Sequence, residues 1–279
     1  MPGRRCLGTF RPARLEPECD FLISATLRHQ RELNLGSAGR WDDFAGHRRR
    51  VTDLILGHRT GRPSSRLVVL GAGNCNDLEL ARLLAGFADV DLVDIDTEAL
   101  AGAVRRQRLP DGARLRLHGG VDLTDPAPDR LERLSRGDVV VSTTVLTQLL
   151  DVALQAGATG PELLTVRDDH LRLITGLLAP RGVGMLVTDV VSSDTCPQLR
   201  TTGTGGLGPL LAEVVNGGNF FTGANPFAIE RWLSTSPDLR LDRFGMAPPW
   251  RWDIGDRSYL VSALAFRKQA EWRTINAAG

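Results

Sequence analysis

Gly71 and Gly73 stand two positions apart, and roughly twenty residues later come Asp94 and Asp96. Residues of these types at this spacing can hold a nucleoside. Glycine permits a tight backbone turn and lets a ligand approach main-chain N–H groups at the start of a helix. A carboxylate at the end of the following strand can accept hydrogen bonds from both hydroxyls of a ribose. A bare glycine pair is weak grounds, so the meaning depends on the elements around it.

Those elements are legible. Leu67 to Leu70 is an apolar, partly β-branched run of the kind expected in a parallel strand buried on both faces, and Leu78 to Leu84 recurs at helical spacing. Val90 to Val93 closes a second strand on Asp94. The stretch RLVVLGAGNCNDLELARLLAGFADVDLVDID therefore reads as strand, glycine turn, helix and acid-tipped strand. The dinucleotide fingerprint Gly-x-Gly-x-x-Gly fails at its third glycine, where Asn76 stands. Asp77 and Glu79, expected in the cap or first turn of the helix, would repel a pyrophosphate. The expected ligand is a nucleoside without a phosphate bridge, not NAD.

From about Ser64 to Met185 the chain resembles the class I S-adenosylmethionine-dependent methyltransferases, whose first motif is a Gly-x-Gly turn and whose second strand ends in a ribose-binding acid. The resemblance implies a Rossmann-like, doubly wound α/β fold: a mostly parallel seven-stranded sheet with an antiparallel last strand and an N-terminal helical cap. It implies S-adenosyl-L-methionine as cofactor and S-adenosyl-L-homocysteine as product. Gly71, Ala72 and Gly73 would line the methionine end, Asp94 would hold the ribose, and Ile95 would pack on the adenine. Asp122, followed by Leu123 in LRLHGGVDLTDP, matches the acid that takes the adenine amino group, and Ser142 and Thr143 fall at the cofactor end of the fourth strand. Each has a plainer alternative: Asp94 or Asp96 as a strand-end acid facing water, Asp122 as a turn former in Asp122-Leu123-Thr124-Asp125-Pro126. Cys75 departs from the family, which often has a third glycine there, and this implies an altered turn or a narrowed cofactor pocket.

Composition sets outer limits. With 279 residues, 42% hydrophobic and 24% charged, the chain is long enough for one large α/β domain with additions. A net charge of +1 gives no footprint for nucleic acid or an anionic membrane, and Lys268 is the only lysine. Cys6, Cys19, Cys75 and Cys196 are too scattered for a zinc knuckle or redox pair, so a reducing, cytoplasmic setting is expected. No apolar run suggests a signal peptide or reaches the roughly 20 residues of a membrane span.

Residues 1–62 read as a poorly ordered start of some 19 residues and a helical cap, and residues 63–279 as the sheet domain. In the cap, Phe21, Leu22, Ala25, Val51, Leu54, Ile55 and His58 recur at helical spacing, and Trp41, Phe44 and His47 are candidates for a lid or for core packing. Arg48-Arg49-Arg50 reads as a solvated face, with a grip on the cofactor carboxylate as the alternative. Residues 192–237, rich in Gly, Thr, Ser and Asn, are the expected substrate region, with glycines near 203–208 and 217–218 as hinges. Gly203 to Gly208 spells Gly-x-Gly-x-x-Gly but follows no strand directly and reads as a flexible loop. Asn225-Pro226-Phe227 and Pro248-Pro249-Trp250 resemble the signature of adenine-N6 methyltransferases, yet that signature belongs after the fourth strand, where this chain has Ser142-Thr143-Thr144.

The implied reaction is in-line methyl transfer to oxygen or nitrogen of a small molecule, driven by alignment and desolvation, with a general base only where the acceptor must lose a proton. Candidate bases are His47 in the lid helix, His170 beside Asp168 and Asp169, and Asp189 at the end of the fifth strand. No metal is expected, because Ser142 stands where a metal-binding acid would be. The alternatives are a non-catalytic nucleoside-binding protein and an aminopropyltransferase of the same fold. The acceptor and the oligomeric state are not readable from the sequence.

Overall fold

The computed structural model describes residues 17–270 apart from 60, 63, 110, 111 and 127, and leaves out the side chains of 17–25, 128 and 129. Two helices come first, α1 (Pro17–Ser37) and α2 (Ala45–Gly57). Then follow β1 (Arg66–Leu70), α3 (Leu80–Gly86), β2 (Asp89–Val93), α4 (Thr97–Gln107), β3 (Leu115–His118), α5 (Pro128–Glu132), β4 (Gly137–Thr143), α6 (Leu146–Gln155), α7 (Gly160–Gly176) and β5 (Leu178–Ser192). The chain continues through α8 (Leu207–Asn216), α9 (Pro226–Thr235), β6 (Leu241–Met246), β7 (Trp250–Ile254) and β8 (Arg257–Lys268). The expected residues Phe21, Leu22 and Ala25, and Cys6 and Cys19, lie outside the described side chains.

The strand order is β3-β2-β1-β4-β5-β8-β6, with β7 also paired to β8. Strands β1 to β5 are parallel, and β8 runs antiparallel to β5. The direction of winding reverses between β1 and β4, and in open α/β sheets that is where a crevice opens at the carboxyl ends. Among the described residues eight strands stand where seven were expected. The extra one, β7, forms a hairpin with the start of β8 and continues the β6 edge after Ala247-Pro248-Pro249, because prolines cannot extend the ladder.

Both faces of the central strands are buried, as the unbroken apolar runs require. Leu67, Val69, Leu92 and Val141 face α2, α3 and α4, while Val68, Leu70, Val140 and Leu186 face α6, α7 and α9. Residues 192–237 are built differently from the expected loop. Cys196, Leu199, Leu207, Leu210, Leu211 and Val214 close a third small core on Val190, Val191 and Leu260. Gly203 to Gly208 is a 3-10 turn entering α8, and Asn225 caps α9 by accepting from the N–H groups of Phe227 and Ala228. Small and polar residues in this stretch serve turns and caps, which composition alone could not separate from a mobile lid.

A charged network ties the outer strands together. Asp91 is almost fully buried, and its carboxylate accepts from Arg66 at 2.8 Å and Arg116 at 3.0 Å and meets His118 Nε2 at 2.8 Å. Burial would raise its pKa, but these three partners prevail and hold it below the ordinary value. Asp91→Asn is expected to cost about 1–2 kcal/mol at neutral pH, short of the figure for a dry pair because Arg116 is half exposed. A depressed carboxylate contributes above its unfolded pKa and loses that contribution as pH falls through its folded value. Urea titrations should therefore show the wild-type advantage at pH 7 shrinking on acidification; an advantage that grows there would contradict the network.

Candidate active site

The β1 turn is shaped by two glycines with φ of +72° and +46°. A Cβ on Gly71 would stand 2.4 Å from Val145 Cβ, and one on Gly73 would stand 2.8 Å from Asn34 Oδ1, so neither position accepts a side chain. Cys75 takes a left-handed conformation, φ +49°, without being glycine. Its side chain is buried in the core on the α2–α4 face, and burial pushes the thiol strongly up. The departure at Cys75 therefore keeps the glycine-type turn and does not narrow the cleft. Helix α3 starts at Leu80, later than expected, so Asp77 lies in the loop and Glu79 immediately precedes the helix. The N–H groups of Glu79 and Leu80 are already taken by Thr52 Oγ1 and Gln107 Oε1, so neither is open to an anion.

Asp94 sits at the tip of β2, 6% exposed. Its Oδ2 accepts the N–H of Gly73 and its Oδ1 the N–H of Asp96, both at 2.8 Å. Burial raises its pKa to about 6 against the lowering effect of those hydrogen bonds. The backbone N–H of Ile95 adds a further hydrogen bond to this carboxylate, which still lines the cleft. Asp96 has a different role: Oδ1 caps α4 through the N–H groups of Glu98 and Ala99, and Oδ2 accepts from Asn34 at 3.1 Å.

A cleft of about 380 Å³ opens over these carboxyl ends. Gly71, Ala72, Gly73 and Asp94 form its floor, and Thr144, Thr147, Gln148 and Asp189 one wall. Phe44, Trp252 and Tyr259 also line the cleft. A second, narrow cavity shares Gln30 and Asp94 with the cleft and gathers Ile95, Val121, Asp122 and Leu123 against Thr26, Val145 and Leu149. The expected residues thus converge in two adjoining places. Asp122 also fulfils its plainer alternative, since Oδ1 accepts from Thr124 N–H and Oγ1.

Several expectations need correction. Ser142 and Thr143 do not line the cleft. Ser142 Oγ meets His170 Nε2 at 2.8 Å inside the α7 face of the core, because residues alternate across β4, and Thr143 Oγ1 donates to Gly71 O from behind the turn. His170 is a core residue whose pKa burial lowers to about 4, and its neighbours Asp168 and Asp169 pair with Arg167 and Arg172 instead. It is no base for a ligand in the cleft.

His47 lies behind the wall. Trp250 Nε1 donates to His47 Nδ1 at 3.2 Å; an indole can only donate, so the ring hydrogen is on Nε2, facing Asp77 Oδ1 at 3.6 Å. Burial lowers the His47 pKa, and neither nitrogen of the neutral ring has a free lone pair. His47 therefore positions its neighbours and is not a base. Arg48 stacks 3.6 Å from the Trp41 ring and donates to the carbonyls of Trp41 and Asn76, away from any ligand. None of residues 192–237 lines the cleft.

Two arrangements escaped the sequence. Thr144, in a left-handed conformation with φ +48°, donates to Asp77 at 3.0 Å, and Thr147 donates to Asp189 at 2.7 Å. Two hydroxyls, one just after β4 and one in the first turn of α6, thus hold an acid of the β1–α3 loop and an acid of β5. The residue that breaks the dinucleotide pattern is also a clamp: Asn76 donates to Ser37 O at 2.9 Å, accepts from Arg106 at 2.8 Å, and joins Asn74 in fastening the end of α1 over the turn. The only advance signal was the excess of amides in GAGNCN.

Among the described residues no group of three or more His, Cys, Asp or Glu could hold a metal ion, and no helix is long and apolar enough to cross a membrane. No protein-family model and no curated protein matches the sequence. Among solved structures, the N-methyltransferase NodS from Bradyrhizobium japonicum WM9, in complex with S-adenosyl-L-homocysteine, matches with a TM-score of 0.50 and 14% identity over 88% of this chain and 98% of that one. A SAM-dependent methyltransferase from Methanosarcina mazei matches at 0.47 and 16% identity, over 77% and 98% of the two chains. An rRNA methylase from Streptococcus thermophilus matches at 0.44 and 11%, over 78% and 93%. Together with the strand order, the likeness to NodS shows that the chain has the class I S-adenosylmethionine-dependent methyltransferase fold.

If Asn76 fastens the helical cap, Asn76→Ala should speed amide hydrogen exchange in residues 26–37 several-fold while exchange in β1 and β4 stays unchanged. Unaltered exchange in α1 would show that the cap is held by other contacts.

Proposed function

We propose that this protein is an S-adenosyl-L-methionine-dependent methyltransferase acting on oxygen or nitrogen of a small-molecule acceptor. The observation that carries the reading is Asp94, a buried carboxylate at the sheet's switch point that is oriented by backbone N–H groups and lines the cleft. Two adjacent hydroxyls of a ribose match its pair of oxygens. Ile95 and Leu123 offer apolar surface to an adenine beside it, Asp122 Oδ2 remains for the amino group, and Gly71 to Gly73 offers main chain to the methionine end.

When bound, the cofactor supplies a methyl group made electrophilic by its sulfonium. The chain's own task is alignment and exclusion of water. Helix α1 and Phe44 cover the cleft, and Thr144 and Thr147 fix the acids on the acceptor side. At the start of α3 the N–H groups of Glu79 and Leu80 are already taken and Asp77 and Glu79 stand nearby, which disfavours a pyrophosphate and so a nicotinamide dinucleotide. Glu32, Asp77, Asp94 and Asp189 line the cleft against the single guanidinium of Arg40, a balance that repels a nucleic-acid backbone and suits a small acceptor. The buried free thiols Cys75 and Cys196 accord with a reducing cytosol.

Equilibrium dialysis with radiolabelled S-adenosyl-L-methionine tests the cofactor. The wild-type chain should retain the label and Asp94→Ala should bind about 10- to 100-fold more weakly, the loss of hydrogen bonds to a charged group. Excess NAD should leave retention unchanged. Equal affinity in Asp94→Ala would remove the ribose assignment, and displacement by NAD would reverse the choice of ligand.

A further inference from the structure

The acceptor side of the cleft has a definite chemical character. Trp252 and Tyr259 face each other across the β7–β8 hairpin with ring centroids 5.4 Å apart, and Phe44 meets Trp252 edge-on at 4.8 Å. Behind them His47 stacks on Trp252 at 4.4 Å, so the indole is fixed on two sides. Tyr259 pairs with Ser192, shortly beyond Asp189 on the neighbouring strand, which sets this aromatic wall beside the Asp189 carboxylate. Asp189 accepts from Thr147 through Oδ1 and from its own backbone N–H, and no arginine, lysine or histidine among the described residues forms a salt bridge with it. The nearby Asp77 adds negative charge, although the Arg48 guanidinium is coupled to it and His47 Nε2 stands 3.6 Å away. Rigid aromatic faces beside an uncompensated carboxylate attract an organic cation, through the ring quadrupole and through charge.

We propose that the acceptor is an amine, held as its ammonium form between Asp189 and the Trp252–Tyr259 wall and methylated on that nitrogen. The proposal rests on the cofactor reading above and narrows it to one substrate class. An ammonium must lose a proton before it can act as a nucleophile. Asp189 Oδ2 takes that proton, and the freed lone pair forms the N–C bond. The electrons of the breaking S–C bond remain on sulfur, and the N-methylammonium product is released with S-adenosyl-L-homocysteine. An alcohol acceptor would need a stronger base than a carboxylate, and His47 and His170 cannot serve. A carboxylate acceptor would be repelled by Asp77 and Asp189. Burial, opposed by the Thr147 hydrogen bond and aided by Asp77, raises Asp189 to about 6, so the base form prevails above that pH. The other charged or titratable groups lining the cleft are Glu32, Arg40, Asp94 and Tyr259, with His47 behind Asp77.

The test uses the full chain saturated with S-adenosyl-L-homocysteine, titrated calorimetrically at pH 7.5 with amines on phenylethyl, benzyl, cyclohexyl and butyl bodies and with the alcohol and carboxylate of each body. Label transfer from S-adenosyl-L-methionine is measured on the same set. The expected result is that at least one amine binds about tenfold or more tightly than its matched alcohol and acid and accepts the label. In Asp189→Asn that preference should vanish and transfer fall about 100-fold, with affinity for S-adenosyl-L-homocysteine unchanged as proof of an intact fold. Trp252→Leu should weaken amine binding more than it lowers the maximal rate. Homocysteine-nucleoside binding with no amine preferred, or a preference that survives in Asp189→Asn, overturns the amine proposal and leaves the cofactor reading standing. No binding of S-adenosyl-L-homocysteine at all overturns both.

Discussion

The site depends on one buried carboxylate holding two backbone segments in register. Asp94 joins the glycine turn, through Gly73 N–H, to the start of α4, through Asp96 N–H. A group so buried would ordinarily lose its charge or its place, and its raised pKa of about 6 records that tension. The hydrogen bonds keep the oxygens oriented toward the crevice. Everything nearby is arranged around that fixed point: Gly71 lets Val145 close in, Asn34 reaches from α1 to Asp96, and Asn74 and Asn76 secure α1 above.

The central half of the fold was legible because it is local. An apolar run buried on both faces, a turn only glycine can make and a carboxylate at a strand tip are each dictated by residues close in sequence, and the boundaries of β1 and β2 follow them nearly residue for residue. Of the residues proposed for the cofactor, Gly71, Ala72, Gly73, Asp94 and Ile95 belong to that local unit, and the pairing of β3 with β2 brings Asp122 and Leu123 beside them. Ser142 and Thr143 were misjudged by side-chain alternation: which face of β4 each residue takes depends on register with β1 and β5, and that register sends Ser142 down to His170.

Of the proposed acceptor side only Asp189 was offered by the sequence as a candidate base, because the rest is assembled from distant pieces. Asp77, Thr144, Thr147, Asp189, Trp252 and Tyr259 come from five separate segments, and only the sheet order brings them together. Loop composition pointed to residues 192–237, yet Cys196 to Val214 bury their apolar side chains in a separate core, Ile229 and Leu233 of α9 pack on the main one, and the β7–β8 hairpin lines the cleft instead. The histidines misled for a related reason: His47 and His170 have the right chemistry by type, but burial and the partners of their nitrogens remove it.

The most direct measurement is calorimetric titration of S-adenosyl-L-homocysteine into the wild-type chain across pH 5 to 8 at constant ionic strength. A ribose held by the ionised Asp94 predicts tight binding at neutral pH that weakens as pH falls through about 6. No binding at neutral pH, or an affinity that stays flat through that range, would contradict the account.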